Sequence, residues 1–172
     1  NSFLQQHVDH VLGLSWVNKA VIEKANFRVL VDAVNSTGGI VVPMLLKALG
    51  VQHVDVIFGE PSGHFGHNPE PLPENLTEMI SKMKGGNYDL GIVVDPDVDR
   101  LCFISEDGTP FGEEYTLVAV ADYVLSVKPG NTVSNLSRNG SHVAFQLHSY
   151  SLKYNTVNTS LQISNPSFIT SR

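Results

Sequence analysis

The sequence predicts an α/β fold: a mixed, mostly three-layer sheet domain with a leading helix and an irregular tail. Three observations predict it. Short runs rich in Ile and Val, at 27–34, 53–58 and 91–94, alternate with stretches of helical period, the pattern of a sheet covered by helices. The run Gly91-Ile92-Val93-Val94 is continuously apolar, as a strand buried on both faces has to be. Further on, Glu106-Asp107-Gly108 is a hairpin turn signal between Leu101–Ser105 and the stretch after Thr109, and a hairpin makes the sheet mixed.

Residues 1–25 read as an amphipathic helix, with Phe3, Val8, Val11, Leu12, Val21 and Ile22 at helical intervals; Gly13 and Ser15 weaken its middle, which leaves two shorter helices as the alternative. His7 and His10 are spaced to share a metal but have no third ligand nearby and are expected to be solvated. Phe27 to Val34 is the first strand. Asn35 to Gly39 turns into a helix that runs to about Gly50, with the Ser36 or Thr37 hydroxyl as N-cap and Pro43 near the first turn. Gly38-Gly39 lacks a full phosphate-loop signature, so close backbone packing is the expected use of both glycines. His53 to Phe58 is the second strand. Pro73 and Glu74 open a helix through Met79, Ile80 and Met83 that closes at Gly85-Gly86. Glu113 and Glu114 open the last helix, their acids serving its dipole, and Lys128-Pro129-Gly130 breaks the chain before a strand at 131–136.

Chemistry concentrates at Asp95-Pro96-Asp97-Val98-Asp99-Arg100, where the buried third strand ends. Open α/β sheets place ligands at the carboxyl ends of their strands. Three ionised carboxylates that close repel one another unless a cation lies between them, and a hard divalent ion, Mg²⁺ first, suits an all-oxygen set. Asp95, Asp97 and Asp99 are therefore the candidate metal ligands, and Arg100 suggests an anion beside the metal. A calcium loop of EF-hand type fits less well, since Arg100 stands where that loop needs Gly and no helix precedes it. A Mg²⁺-dependent phosphatase with Asp95 as nucleophile, and a non-catalytic metal-binding module, both stay open at this point.

The same residues carry a resemblance. Asp95-Pro96-Asp97-Val98-Asp99-Arg100 resembles the metal loop of the α-D-phosphohexomutases, the phosphoglucomutase and phosphomannomutase family, whose usual form is D-G-D-x-D-R; here Pro96 replaces the glycine. Val31-Asp32-Ala33-Val34-Asn35-Ser36-Thr37-Gly38-Gly39 is similar to the strand-to-helix entry of that family's second domain, and His67-Asn68-Pro69-Glu70-Pro71 with Glu74-Asn75-Leu76 to its N-P-x-P…E-N-L loop. Gly59-Glu60-Pro61-Ser62-Gly63-His64 mimics the family's sugar loop, but it precedes the metal loop, so it reads as an ordered connection. The resemblance implies phosphoryl transfer within a hexose phosphate, through a phosphoserine and Mg²⁺. It makes Asp95, Asp97 and Asp99 metal ligands and Arg100 a phosphate contact, the one catalytic-type residue in the chain. A substrate-phosphate contact for His64 or His67 is a lesser expectation. The serine motif T-A-S-H-N-P and the phosphate motif R-x-S-G-T do not occur in this sequence, so a fragment inactive by itself is expected.

Composition bounds the rest. The chain has 172 residues, 42% of them hydrophobic and 16% charged, as a globular protein does. Its net charge of −6 without a basic run argues against nucleic acid as a partner, and no apolar stretch approaches a membrane span. A cytoplasmic protein is expected. Cys102, the one cysteine, sits in an apolar strand as a small hydrophobe. The expected domains are 1–25, the end of a preceding domain; 26–128, the metal-loop domain; and 129–172, the start of a third domain and then an aberrant tail. From Ser137 there is no acid at all and only Arg138, Lys153 and Arg172 are basic. A shifted reading frame is the expected origin of that tail, and loss of the tail to protease, leaving 26–128, the expected consequence.

Overall fold

The computed structural model describes residues 2–128, 132–134 and 143–145. Apolar alternation sets the core of the first unit, residues 1–113. Its sheet contains β1 (Arg28–Asp32), β2 (His53–Ile57), β3 (Leu90–Val94) and β4 (Leu101–Ser105) in the order β2-β1-β3-β4. β1 is parallel to β2 and β3, and β4 returns antiparallel to β3. Because successive side chains of a strand point to opposite faces, each apolar run feeds two cores. Val29, Val31, Ile92 and Val94 meet Leu46 and Val42 of α3 (Gly38–Ala48) on one face. Leu30, Val93, Cys102 and Ile104 meet Leu76, Met79 and Met83 on the other, the methionines coming from α4 (Thr77–Gly85). The result is the three-layer α/β arrangement with a mixed sheet.

The order β2-β1-β3-β4 has a functional consequence. The chain leaves β1 toward β2 on one side and comes back to β3 on the other, so β1 and β3 flank a topological switch point. The carboxyl ends of the three parallel strands release the loops 33–37, 58–72 and 95–100 at one edge. Four non-glycine residues with positive φ lie in those loops: Val34 (46°), Asn35 (54°), Phe58 (46°) and Val98 (64°). Bulky side chains rarely adopt that region, so backbone strain is concentrated where the loops meet.

Several local expectations change. The leading helical stretch is two helices, α1 (Phe3–Leu12), capped by Ser2 and ended at Gly13, and α2 (Lys19–Ala25), capped by Asn18. Ile22 of α2 packs against the core that α3 covers, and His7 and His10 are exposed. Thr37 occupies the N-cap position of α3, yet neither it nor Ser36 caps the helix. Pro43 lies in the second turn of α3 and not near the first, so the Gly39 carbonyl has no amide four residues on. The predicted helix from Pro73 begins as a single 3-10 turn, Pro73–Asn75, and becomes α-helical at Thr77. The antiparallel partner of β4 is β3, across the acidic loop, and the return after Gly108 is reduced to one bridge between Ile104 and Pro110.

The glycine pair serves close packing. A Cβ on Gly39 would sit 2.0 Å from the Gly59 carbonyl oxygen, and one on Gly38 would sit 2.5 Å from a Val94 methyl. In the second unit, α5 (Glu113–Val127) begins at the unit boundary, and β5 (Thr132–Ser134) pairs antiparallel with β6 (Val143–Phe145). β6 is a short strand within the stretch expected to be an aberrant tail. The other expectations for the tail fall outside the described residues. No helix among the described residues is long and apolar enough to cross a membrane.

Candidate metal centre

The acidic loop is the connection between β3 and β4, and its shape follows from a turn. The Val98 amide donates to the Asp95 carbonyl at 3.2 Å, closing a β-turn with Pro96 at the second position, where its fixed φ suits the turn. Proline at position 96 is therefore compatible with the turn that gathers the acids. The Ser36 and Thr37 hydroxyls both donate to the Pro96 carbonyl, Thr37 at 2.9 Å, and so tie the start of α3 to the tip of the loop. Val98, at positive φ, then turns the chain back, and the Arg100 amide donates to Asp95 Oδ1 at 3.1 Å.

One carboxylate oxygen from each of Asp95, Asp97 and Asp99 lies within 4.8 Å of the others. Asp95 is 3% exposed, whereas Asp97 and Asp99 are open to solvent. A hydrogen bond with Asp95 and the charges of Asp97 and Asp95 raise the Asp99 carboxyl above the usual range, against the pull of Arg100. The cause is the crowding of three carboxylates in one short loop. An all-oxygen set with one inner and two outer carboxylates fits a hard divalent cation that keeps some of its water.

Arg100 spans the rim of the loop. Its Nε lies 3.3 Å from Asp95 Oδ2 and 4.0 Å from Asp99 Oδ1, while Nη1 reaches Glu70 Oε1 at 3.2 Å. Both partners of the outer pair are about half exposed, Arg100 at 52% and Glu70 at 53%. The hydrogen bond to Glu70, with the neighbouring acids, raises the guanidinium above its already high value, so it is always charged.

Beside this loop lies a second cluster that sequence reasoning did not assemble. Asp32, the last residue of β1, is 1% exposed; its Oδ1 accepts from the Val34 amide at 3.1 Å. His67 Nε2 lies 3.1 Å from Asp32 Oδ2, and its Nδ1 lies 2.7 Å from the Asn68 carbonyl. A carbonyl only accepts, so Nδ1 carries a proton and Nε2 shares one with Asp32. Burial raises the Asp32 carboxyl, partly offset by the Val34 amide and His67. Phe58 packs edge-on to the imidazole at 5.3 Å. Thus the structure gives His67 a protein partner, and His64 is exposed, its carbonyl accepting from Asn35. An acid that ends an otherwise apolar strand was the signal available for Asp32, because a buried carboxyl needs a partner. Glu70, at the variable place of the N-P-x-P motif, offered no signal at all.

Fold and loop together define the class: a three-layer α/β domain that presents three convergent aspartates and an arginine at a topological switch point. Residues 5–108 match the α/β/α domain II of phosphoglucomutase/phosphomannomutase, and the chain belongs to that family. It is 32% identical over 135 residues to a probable phosphoglucosamine mutase of Methanopyrus kandleri, covering 77% of this chain and 28% of that protein. It is 37% identical over 105 residues to a phosphomannomutase/phosphoglucomutase of Pseudomonas aeruginosa, covering 60% of this chain and 22% of that one. Among solved structures, a phosphoglucomutase/phosphomannomutase family protein of Burkholderia thailandensis superposes with a TM-score of 0.61 at 29% identity, over 78% of this chain and 30% of its own. The chain therefore spans under a third of the length of these relatives.

Proposed function

We propose that this chain carries the divalent-metal loop of an enzyme that moves a phosphoryl group within a hexose phosphate. The observation that carries the reading is the convergence of the Asp95, Asp97 and Asp99 oxygens within 4.8 Å. Family membership supports it, since the relatives are named as mutases of phosphorylated glucose, mannose or glucosamine. In this reading the three aspartates hold Mg²⁺, and Arg100, charged and half exposed at the rim, receives a phosphate oxygen pair in its planar fork. A bound divalent cation supplies neutralisation of the negative charge that develops on a transferring phosphoryl group. The rival assignment of Asp95 as a phosphatase nucleophile needs an accessible carboxylate. Asp95 is 3% exposed, and its available oxygen lies among those of Asp97 and Asp99. We take 26–128 as the metal-loop domain.

Three carboxylates and waters make a weak site without a phosphoserine oxygen, so Mg²⁺ or Mn²⁺ binds this chain weakly but measurably. Calorimetry on the chain and on Asp97→Ala tests this: the variant should lose the binding, and equal uptake by both would remove the assignment.

A further inference from the structure

We propose that Glu70 is a positioning residue for the acidic loop: it draws the Arg100 guanidinium toward the rim and limits how far it closes over Asp97 and Asp99, from a segment that the buried Asp32–His67 pair pins to the end of β1. The inference rests on the reading of that loop as a divalent-metal site, and adds to it a residue outside the D-x-D-x-D-R stretch.

The guanidinium has two sets of carboxylates within reach. Its Nε side lies against Asp95 and Asp99, at 3.3 and 4.0 Å, and its Nη1 side is drawn the other way by Glu70, at 3.2 Å. A rigid planar fork cannot turn all its donors to both sides at once. With Glu70 in place, the fork lies across the rim. Without it, the nearest uncompensated charges are those of the metal loop, and the cation closes over them. It then competes with a divalent ion for the same oxygens. An ion pair exposed on both sides contributes little to stability, so its main physical effect is the direction it imposes on Arg100.

Glu70 can impose that direction only if its own backbone is fixed, and it is held from two sides. Its amide donates to Asn68 Oδ1 at 3.3 Å, and its carbonyl accepts from Asn75 Nδ2 at 2.9 Å and from the Leu72 amide at 2.8 Å. Asn68 is in turn held through its carbonyl by His67 Nδ1 at 2.7 Å, and His67 Nε2 is anchored on Asp32, which is 1% exposed. A buried carboxyl at the end of a central strand is as rigid a reference point as the sheet offers. The linked contacts run from there to Arg100 at the rim of the acidic loop without involving Asp95, Asp97 or Asp99 on the way.

The test is a double-mutant cycle read by metal binding. Mn²⁺ is titrated calorimetrically into the full chain, Glu70→Ala, His67→Ala, Arg100→Ala and Glu70→Ala/Arg100→Ala, with circular dichroism to verify that each is folded. Glu70→Ala and His67→Ala should each weaken Mn²⁺ binding about five- to tenfold, and Glu70→Gln, which keeps the acceptor, by less. In the Arg100→Ala background the loss caused by Glu70→Ala should disappear. An equal loss in both backgrounds would mean that Glu70 acts by charge alone, and no loss in either would mean that it does nothing; both outcomes overturn the proposal. The Arg100 Nε–H resonance, identified by its disappearance in Arg100→Ala, gives a metal-free readout. If the unmodified chain takes up no Mn²⁺, the metal reading falls, and this resonance then decides the positioning. A shift in Glu70→Ala and in His67→Ala sustains it, and an unchanged signal in Glu70→Ala overturns it even if His67→Ala fails to fold.

Discussion

At the scale of single residues, Asp32 is the side chain whose environment departs most from what its type prefers. Burial pushes its carboxyl above the ordinary 3.8, against the Val34 amide and His67, which pull it down. An acid raised in the folded state binds its proton more tightly there than in the unfolded chain. Its contribution to stability is therefore complete below the ordinary value and is lost as pH rises through the folded one. Asp32→Asn removes this titration while leaving an amide that can hydrogen-bond both Val34 and a neutral His67. The stability of the unmodified chain relative to Asp32→Asn should fall as pH is raised from about 4 to about 7. Urea unfolding across that range measures it, and a flat difference, or one of opposite slope, would contradict the assignment of burial as the dominant cause.

Elements meet most closely where α3 passes the loop after β2. Gly39 lies against the backbone of Gly59, with no room for a methyl group, and the obstacle is a carbonyl oxygen that cannot rotate away. Gly39→Ala should therefore destabilise the chain by about 1–3 kcal/mol or more, the cost of overpacking a close-packed contact. It should also loosen the turn by which Ser36 and Thr37 grip Pro96. Gly85, at the end of α4, has nothing within 4 Å of its would-be Cβ, and Gly85→Ala should be neutral or stabilising by up to about 1 kcal/mol. Thermal or urea unfolding of the two variants compares them directly; similar effects would show that the contact between α3 and the loop is not tight.

For the whole molecule, the decisive fact is that the chain spans under a third of the length of its relatives and holds neither T-A-S-H-N-P nor R-x-S-G-T. On the proposed reading, the acidic loop by itself supplies charge and no nucleophile. Covalent catalysis and the alignment of reactants are separate contributions, and alignment alone is worth about 7–11 kcal/mol in favourable cases. We expect the purified chain to leave hexose 1- and 6-phosphates unconverted in a coupled assay. Turnover that survives purification and disappears in Asp95→Asn would overturn this and restore the phosphatase reading.

The amino-acid sequence by itself determined the strands, the two faces of the sheet and the acidic loop. Burial periodicity and the D-x-D-x-D-R spacing are local properties, written over a few consecutive residues such as 91–100. It left the break in the leading helix open, with Gly13 and Ser15 only weakening the middle. Tertiary structure decided what those local pieces touch. The Ser36 and Thr37 hydroxyls suit an N-cap in sequence, and the fold directs them to Pro96, sixty and fifty-nine residues on. In sequence His67 carries no more than a lesser expectation of a phosphate contact, and the fold seats it on Asp32, thirty-five residues back. Glu70 carries no local pattern, yet it meets Arg100 because the order β2-β1-β3-β4 brings the loops after β2 and β3 to one edge. Pairings of this kind depend on which strand lies beside which, a property of the assembled sheet that no run of neighbouring residues encodes.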